Sequence, residues 1–424
     1  MPDNPAPEKP VSDHPALRWV RMIFVDVFGG THAVVLPAAR YHQTLTEGVL
    51  FDGSSLEGRA RHLERDMVLL ADPASLTVLG QGVARVSCAV LDDRRRPWLG
   101  DPRTALGSII DTLGDLAEEY RAAAELEFYL LDEDGRPIDR GDYYGDVEGP
   151  GMLVARAAAD RLQSGGVEVV SAHLEAGPGQ YELDLAPLGT LALADALVLA
   201  KQVVRHEAAA RGLRATFMAR PFSGLPGSGL HLHQQVGDRL FDARGELSAE
   251  GRAFVAGQLG HARGLCAFAA PNVNSYRRLH SGPEAPSHVV WGHANRAALV
   301  RLSVACDGRP AAEVRLPDPA ANPYLLLGAL VASGADGIDQ EAFLDAPFDE
   351  DLGGFDPAET TSAQLHPLPR DLDEALDALL ADDVLVDAFD SRLLSRLVDG
   401  RRAEAEAYRA HVTSWEIDRY LEEA

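Results

Sequence analysis

Five pairs of ionisable residues, each at a spacing of two and each inside an apolar run, carry the chemistry of this sequence. They are Glu125 and Glu127 in ELEFYLL, His173 and Glu175 in SAHLE, Glu182 and Asp184 in YELDLAP, His231 and His233 in GLHLHQQ, and Glu313 and Arg315 in AAEVRLP. Side chains two apart on a strand share a face. Each pair therefore projects together, while Leu126, Phe128, Leu174, Leu183, Leu232 and Val314 pack behind. The water-facing side of a half-exposed sheet would account for any one pair. Such faces mix Thr, Ser, Lys and Gln, whereas these positions hold carboxylates, histidines and one arginine. Carboxylates gathered without lysine repel one another unless a cation sits among them. Oxygen donors with an occasional imidazole and no thiolate favour Mg²⁺ or Mn²⁺ over structural zinc.

A second constellation lies in NSYRRLHSGPEAPSHVVWGHANRAALVRL, where Arg277, Arg278, Arg296 and Arg301 surround a single acid, Glu284, in a Gly/Pro loop. Guanidinium forks match phosphate oxygens. Metal plus arginine points to phosphoryl transfer to or from a nucleotide. Arginine is common in this chain, since only Lys9 and Lys201 among its 39 cationic residues are lysines, so any one arginine alone reads as a surface residue. The same fact disposes of a Walker A loop, which needs Gly-Lys-Ser/Thr: Lys9 precedes Pro10 and Lys201 precedes Gln202. ATP, if used, is held without a P-loop.

The elements that must position these groups follow from patterning. Residues 18–90 read as short strands: RWVRMIFVDVF, THAVVLP after a Gly-Gly turn, a polar loop containing FDGSSLEG, then SLTVLG and VARVSCAVL. DDRRRPWLGDPR suits a boundary near residue 100. TALGSIIDTLGDLAEEYRAAA has helical spacing and precedes the strand AELEFYLL. Helix and strand then alternate through LVARAAADRLQSGG, VEVVSAHLE, YELDLAP, a long helix over about 191–211 and ATFMARPF. An apolar-periodic segment over about 248–269, further strands and an almost wholly helical C-terminal region follow, giving a mixed α and β chain.

Composition excludes several function classes. With 424 residues, 39 Lys plus Arg and 65 Asp plus Glu, the formal charge is −26, so nucleic acid and anionic membranes are unfavourable partners. Cys88, Cys266 and Cys306 are scattered and form neither a disulfide framework nor a metal knuckle. The first 17 residues, rich in Pro and charge, read as a loose tail without the apolar stretch of a signal peptide. No apolar run approaches the roughly 20 residues needed to span a bilayer. A soluble, cytoplasmic protein is expected.

At these residues the sequence resembles the glutamine synthetase family, from about residue 18 to 424. FDGSS, ELEFYL, HLE followed by GPGQYE, GSGLHLH, NSYRRL, an EAP flap, NR before a strand, and EVRLPDPAANPYL arrive in the family's order. The resemblance implies an α+β fold: an N-terminal β-grasp domain (18–99), then a catalytic domain (100–424) built as an open, funnel-like antiparallel barrel with surrounding helices. It implies metal ligands Glu127, Glu175 and Glu182 at one ion and Glu125, His231 and Glu313 at another, with two or three Mg²⁺ or Mn²⁺ per site and ATP as co-substrate. His233, Arg296 and Arg301 match the phosphate side, and Gly227, Arg278 and Arg315 the glutamate side. Glu284 matches the flap acid that takes a proton from the incoming amine. Asp52 and Ser55 match a loop completing the ammonium site of a neighbouring subunit; Tyr143 and Glu175 complete the amine set.

The implied activity is ATP-dependent amide formation between the γ-carboxylate of L-glutamate and ammonia or a small primary amine, through γ-glutamyl phosphate. The implied assembly is a homo-oligomer with shared sites, in this family a double ring of twelve. The alternatives are a γ-glutamyl-polyamine, ethanolamide or anilide synthetase without physiological ammonia activity, or a non-catalytic structural or regulatory member. Several residues depart from the family pattern. Arg220-Pro221 replaces Lys-Pro, Pro226 replaces the Asn before the GSG turn, and Gln235 stands for Ser. Ala311 replaces the Arg two residues before Glu313, with Arg309 nearest. WGHANR looks more like the segment of the amine ligases, while FDGSS and Glu284 resemble the ammonia-using enzymes. Residues 343–370 contain no Tyr, which argues against adenylylation control.

Overall fold

The computed structural model describes residues 16–57, 66–80, 82–141, 143–146, 148–280, 284–350 and 365–422. The expected tail lies outside these residues as far as residue 15.

The first sheet comprises β1 (Trp19–Val25), β2 (Thr31–Pro37), β3 (Val49–Asp52), β4 (Asp66–Ala71), β5 (Thr77–Gly80) and β6 (Val83–Leu91). Their order is β2-β1-β6-β4-β3, with β5 also on β6, and β1 runs parallel to β6. One face of β1 and β6 (Val20, Met22, Ala84, Val86, Cys88) closes a small core, while Ile23 and Val25 on the other face join the main core. The turn after β1 is tied by Asp26, whose Oδ1 accepts from the amides of Phe28 (2.9 Å) and Gly30 (2.7 Å). Asn322 donates its side-chain amide to the Asp26 carbonyl at 3.0 Å, joining this sheet to the rest of the chain. Two of these strands differ from the sequence expectation. Phe51 and Asp52, expected in the FDGSSLEG loop, end β3, and DMVLLA, not singled out, is β4; they pair from Val49–Leu69 to Asp52–Asp66. A four-residue strand owes its existence to its partner, which local pattern does not reveal.

The second sheet contains β7 (Tyr120–Leu131), β8 (Val169–Leu174), β9 (Gln180–Gly189), β10 (Arg214–Thr216), β11 (Leu230–Val236), β12 (Trp291–Gly292), β13 (Val300–Val304) and β14 (Pro310–Val314). The order is β12-β13-β14-β11-β7-β9-β8, with β10 also on β7. Only the β12–β13 pairing is parallel, and the sheet is barrel-like and nearly closed. β7 begins at Tyr120, so the YRAAA run expected in a helix is strand. Ala122 and Ala124 are buried between β9 and β11, and burial overrides alanine's helix preference.

Helices 102–113, 150–164, 190–209, 249–260, 262–269 and 323–339 cover the apolar face of this sheet. The apolar segment expected over 248–269 is two helices broken at His261. Helices 249–260 and 323–339 cross in close contact: a Cβ on Gly257 would lie 2.2 Å from the Ser333 carbonyl. The C-terminal region is helical over 372–380, 383–387, 391–410 and 414–420, but no described residue between 340 and 371 is helical. Among the described residues no helix is long and apolar enough to cross a membrane.

Candidate active site

Strand register turns the sequence pairs into one surface. Glu127 lies opposite Glu182 and Glu125 opposite Asp184 across β7 and β9. Glu125 faces His231 across β7 and β11, His233 faces Glu313 across β11 and β14, Arg301 faces Glu313 across β13 and β14, and His173 faces Glu182 across β8 and β9. The intervening Leu126, Phe128, Leu174, Leu183, Leu232 and Val314 are buried behind. Alternation on five strands thus produces a polar inner face over an apolar outer one.

Glu125 bridges the two β11 histidines: its Oε2 is 2.8 Å from His231 Nδ1 and its Oε1 is 2.7 Å from His233 Nε2. His231 also lies 3.9 Å from both Glu127 and Glu313. Glu313, fully buried, accepts from Arg301 Nε at 2.5 Å and from Arg315 Nη1. His173 Nε2 is 3.2 Å from Glu182. Three donor groups have ligand atoms within 4.8 Å of one another: Glu125, His233 and Glu313; His173, Glu175 and Glu182; and Glu125, Glu182 and Asp184. Of the expected ligands, Glu125 and Glu313 stand together with His233, and Glu175 and Glu182 with His173. His231 lies beside the first group, and Glu127 is 3.9 Å from His231 and accepts from the Gly229 amide.

The residues present fit divalent cations. Six carboxylates (Glu125, Glu127, Glu175, Glu182, Asp184, Glu313) converge with the guanidinium groups of Arg278, Arg301 and Arg315, so negative charge is in excess. Burial, and then the charge of Glu175, pushes the Glu127 carboxyl up to about 8. Glu182 is raised well above the ordinary range by burial and by Glu127 and Glu125, and Glu175 is also raised, chiefly by burial. A cation among these oxygens would remove that penalty. Glu125 and Glu313 are lowered despite burial, Glu125 by its two histidine bonds and Glu313 by Arg315, the histidines and Arg301. His231 falls to about 4 through burial and Arg315, leaving the neutral imidazole that metal ligation needs.

Other expected residues divide into two groups. Arg315 donates from Nε to the Arg296 carbonyl at 2.8 Å, and Arg278 donates to the carbonyls of Leu316 and Arg315, both at 2.9 Å, so these arginines brace the chain leaving β14. Gly227 packs where a Cβ would lie 2.7 Å from the Ala219 carbonyl and 2.8 Å from Arg278 Cγ. The exposed Glu284 and Arg296 face each other at 3.4 Å, and Tyr143 lies near enough to feel the Arg296 charge. Asp52, by contrast, ends β3 in the other sheet, where its Oδ1 accepts from the Ser54 amide at 2.9 Å. The Ser55 side chain lies outside the described residues.

Three contributors escaped the sequence reading. Gln180 donates to Glu127 Oε2 and to the Gly227 carbonyl, each at 3.0 Å. It precedes Glu182 by two, so alternation alone could have found it. The Gly229 amide also donates to Glu127 Oε2 at 3.0 Å, and a Cβ there would lie 2.5 Å from His231 Nε2. Ser303 Oγ is 2.9 Å from His233 Nδ1, and it follows Arg301 by two on β13, so the same alternation could have found it. Among the departures, Arg309 is bound to the Gly237 carbonyl (2.7 Å) and Asp238 (2.9 Å), so it is directed away from the acid cluster and does not replace the arginine missing at Ala311. A groove of about 1190 Å³ is lined by Arg220, Arg277, Tyr408 and Trp415 among others and by none of the acid-cluster residues.

Fold and site together define a two-sheet protein whose larger sheet carries an acid-rich, arginine-rimmed centre suited to cations and an anionic substrate. Residues 16–93 match the profile of the glutamine synthetase β-grasp domain and residues 99–420 that of the glutamine synthetase catalytic domain. The chain belongs to the glutamine synthetase family. It is 35% identical over 433 residues to the glutamine synthetase of Methanocaldococcus jannaschii, covering 96% of this chain and 95% of that protein. It is 34% identical over 427 residues to that of Thermus thermophilus, covering 96% of each. Among solved structures it is similar to "GmaS/ADP complex-Conformation 1", with a TM-score of 0.86, 29% identity, and coverage of 97% of this chain and 98% of that one.

Proposed function

We propose that the protein joins the γ-carboxylate of L-glutamate to ammonia or a small primary amine at the expense of ATP, through γ-glutamyl phosphate. The observation that carries this reading is the in-register convergence of Glu125, Glu127, Glu182, Asp184 and Glu313 with His173, His231, His233 and Arg301 on one inner sheet face, joined from beyond the strands by Glu175, Arg278 and Arg315. Family membership over nearly the whole chain supports it, as does the ADP complex of a structural relative.

Arg315 and Arg278, near Gly227, would orient the glutamate. Arg301, Arg296 and His233 would face the transferred phosphoryl group, whose charge guanidinium forks match. Glu125, Glu127, Glu175, Glu182, His231 and Glu313, with His173, Asp184 and His233 adjacent, would hold Mg²⁺ or Mn²⁺. When bound, such ions neutralise phosphoryl oxygens and stabilise the charge that develops on transfer. Glu284 accepts the proton that the amine must lose before attack. Asp52, which ends β3 in the other sheet, would complete the amine site of a neighbouring copy in a ring of subunits, with twelve as the proposed number. A cytoplasmic setting fits ATP as co-substrate.

The test is phosphate release by purified protein with Mg²⁺ or Mn²⁺, ATP, glutamate and a panel of ammonia, hydroxylamine, ethanolamine, aniline and polyamines. Phosphate together with a γ-glutamyl amide is expected. Release with none of them overturns the reading.

A further inference from the structure

Two adjacent tyrosines stand over the acid cluster in a conformation that packing does not repay. Tyr144 has φ +56°, a left-handed backbone that side-chain-bearing residues adopt only at a cost. It nevertheless remains 64% exposed, and Tyr143 is 44% exposed. Their loop is pinned to the turn between β8 and β9. Asp139 Oδ1 accepts from the amides of Gly141 (2.9 Å) and Gly179 (2.6 Å), and Oδ2 from the Tyr181 hydroxyl at 2.6 Å. The Tyr144 amide donates to the Leu174 carbonyl at 3.3 Å.

The rings form a corner. Tyr144 lies 4.4 Å from Tyr143 and 4.5 Å from His173 between ring centroids, and the two outer rings are 6.3 Å apart, so the three centroids make a right angle at Tyr144. Carboxylates adjoin both arms. Tyr143 feels the charges of Arg296 and Glu175, and Arg296 faces Glu284 at 3.4 Å. On the other arm, His173 lies 3.2 Å from Glu182 and 3.9 Å from Glu175. Glu284 and Glu175 also feel each other's charge.

Aromatic faces beside two carboxylates are the chemistry that recognises an organic ammonium: the acids take the charged nitrogen, and the rings take the carbon atoms it polarises. Ammonium itself has no use for the rings. We infer that Tyr144, with Tyr143 and His173, forms an aromatic platform for the substituent of the amine substrate, so that a small primary amine bearing an alkyl or aryl group is preferred over ammonia. This rests on the ligase reading above and names the specificity determinant of that site.

The test compares kcat/KM for ammonia, methylamine and benzylamine in the full-length protein and in Tyr144→Gly and Tyr144→Phe. Glycine suits the left-handed backbone, so loss of the ring is not confounded by loss of the fold. The benzylamine-to-ammonia ratio falls about tenfold or more in Tyr144→Gly, the scale of a lost cation–π contact. The fall comes mainly through a higher KM for the amine, and Tyr144→Phe retains the ratio. An unchanged ratio in Tyr144→Gly overturns the inference while leaving the ligase reading intact. No turnover with any amine in the wild-type protein overturns the ligase reading, and the inference with it.

Discussion

Two buried polar clusters in this protein handle charge in opposite ways. At the junction of the two sheets, Arg103 is bound by Asp72 at 2.5 Å and by Asp195 at 2.8 Å, and Tyr324 donates to Asp195 at 2.6 Å. Arg85 lies close enough to feel the charge of Asp195, so two arginines meet two carboxylates there and the charges balance. On the inner face of the second sheet six carboxylates meet three arginines, and Glu127 and Glu182 are driven toward their protonated forms. The junction cluster is closed, whereas the sheet cluster is left incomplete in a way that a cation from solution would finish. Excess like charge that the fold retains at an energetic cost is a mark of function rather than of stability.

Variants can break that contrast. The largest effect is expected from Arg103→Ala, which removes a buried guanidinium and leaves the partly buried Asp72 and Asp195 without their counter-charge. Stability should fall by about 3–5 kcal/mol, as when one partner of a buried ion pair is removed, while turnover per folded molecule stays close to wild type. Denaturant unfolding and a phosphate-release assay measure the two separately, and a stable but inactive variant would erase the distinction. Glu127→Ala should do the reverse. Phosphate release should drop about 100-fold or more, roughly 2.7 kcal/mol of barrier, and unfolding in EDTA should be no easier than in wild type, because a source of repulsion is gone.

The acid cluster should also give the metal-free protein a pH dependence. Glu127 titrates near 8 when folded, above the ordinary value of 4.5 for a carboxyl. Between those values the native state holds a proton that the unfolded chain has released, so stability falls as pH rises through that window. In EDTA the unfolding temperature should therefore decline from about pH 5 to pH 8, by about 2 °C or more. Saturating Mn²⁺ should abolish the decline, and Mn²⁺ affinity should climb over the same window because ligation requires the proton to leave. Scanning calorimetry with and without EDTA checks the sign; a rise with pH in EDTA would contradict it. The smallest effect is expected from Arg309→Ala, which removes an exposed pairing with Asp238. Stability should change by no more than about 0.5 kcal/mol, and KM for ATP should stay near wild type. A marked rise in that KM would bring Arg309 into the nucleotide site after all.

Much of the site was legible because a strand has a period of two. Glu125, Glu127, His231, His233 and Glu313 could be assigned to one face from spacing alone, and their burial over a leucine-rich back agrees. Gln180 obeyed the same rule and was overlooked. Glycine positions were harder to read, since the need for Gly229 arises from His231, Arg278 and Glu127 closing around it. In the fold, the long amphipathic helices were visible and the short partner-dependent strands β3 and β4 were not. The alanines of β7 read as helix because their burial between two neighbouring strands is a tertiary fact.

The sequence by itself determined the inventory: acids, imidazoles and arginines at same-face spacing, a chain almost without lysine, and an ordered set of segments that identifies the family. Those are local properties, fixed by the two-residue repeat of a strand and by side-chain chemistry. Only the tertiary structure decided who meets whom. Cross-strand register brought His173 to Glu182 and His233 to Glu125 and Glu313, turned Arg309 away, put Asp52 on a different sheet, and stacked Tyr144 against His173. Contacts between residues tens to hundreds of positions apart depend on register and loop path, and no local pattern in the chain encodes either.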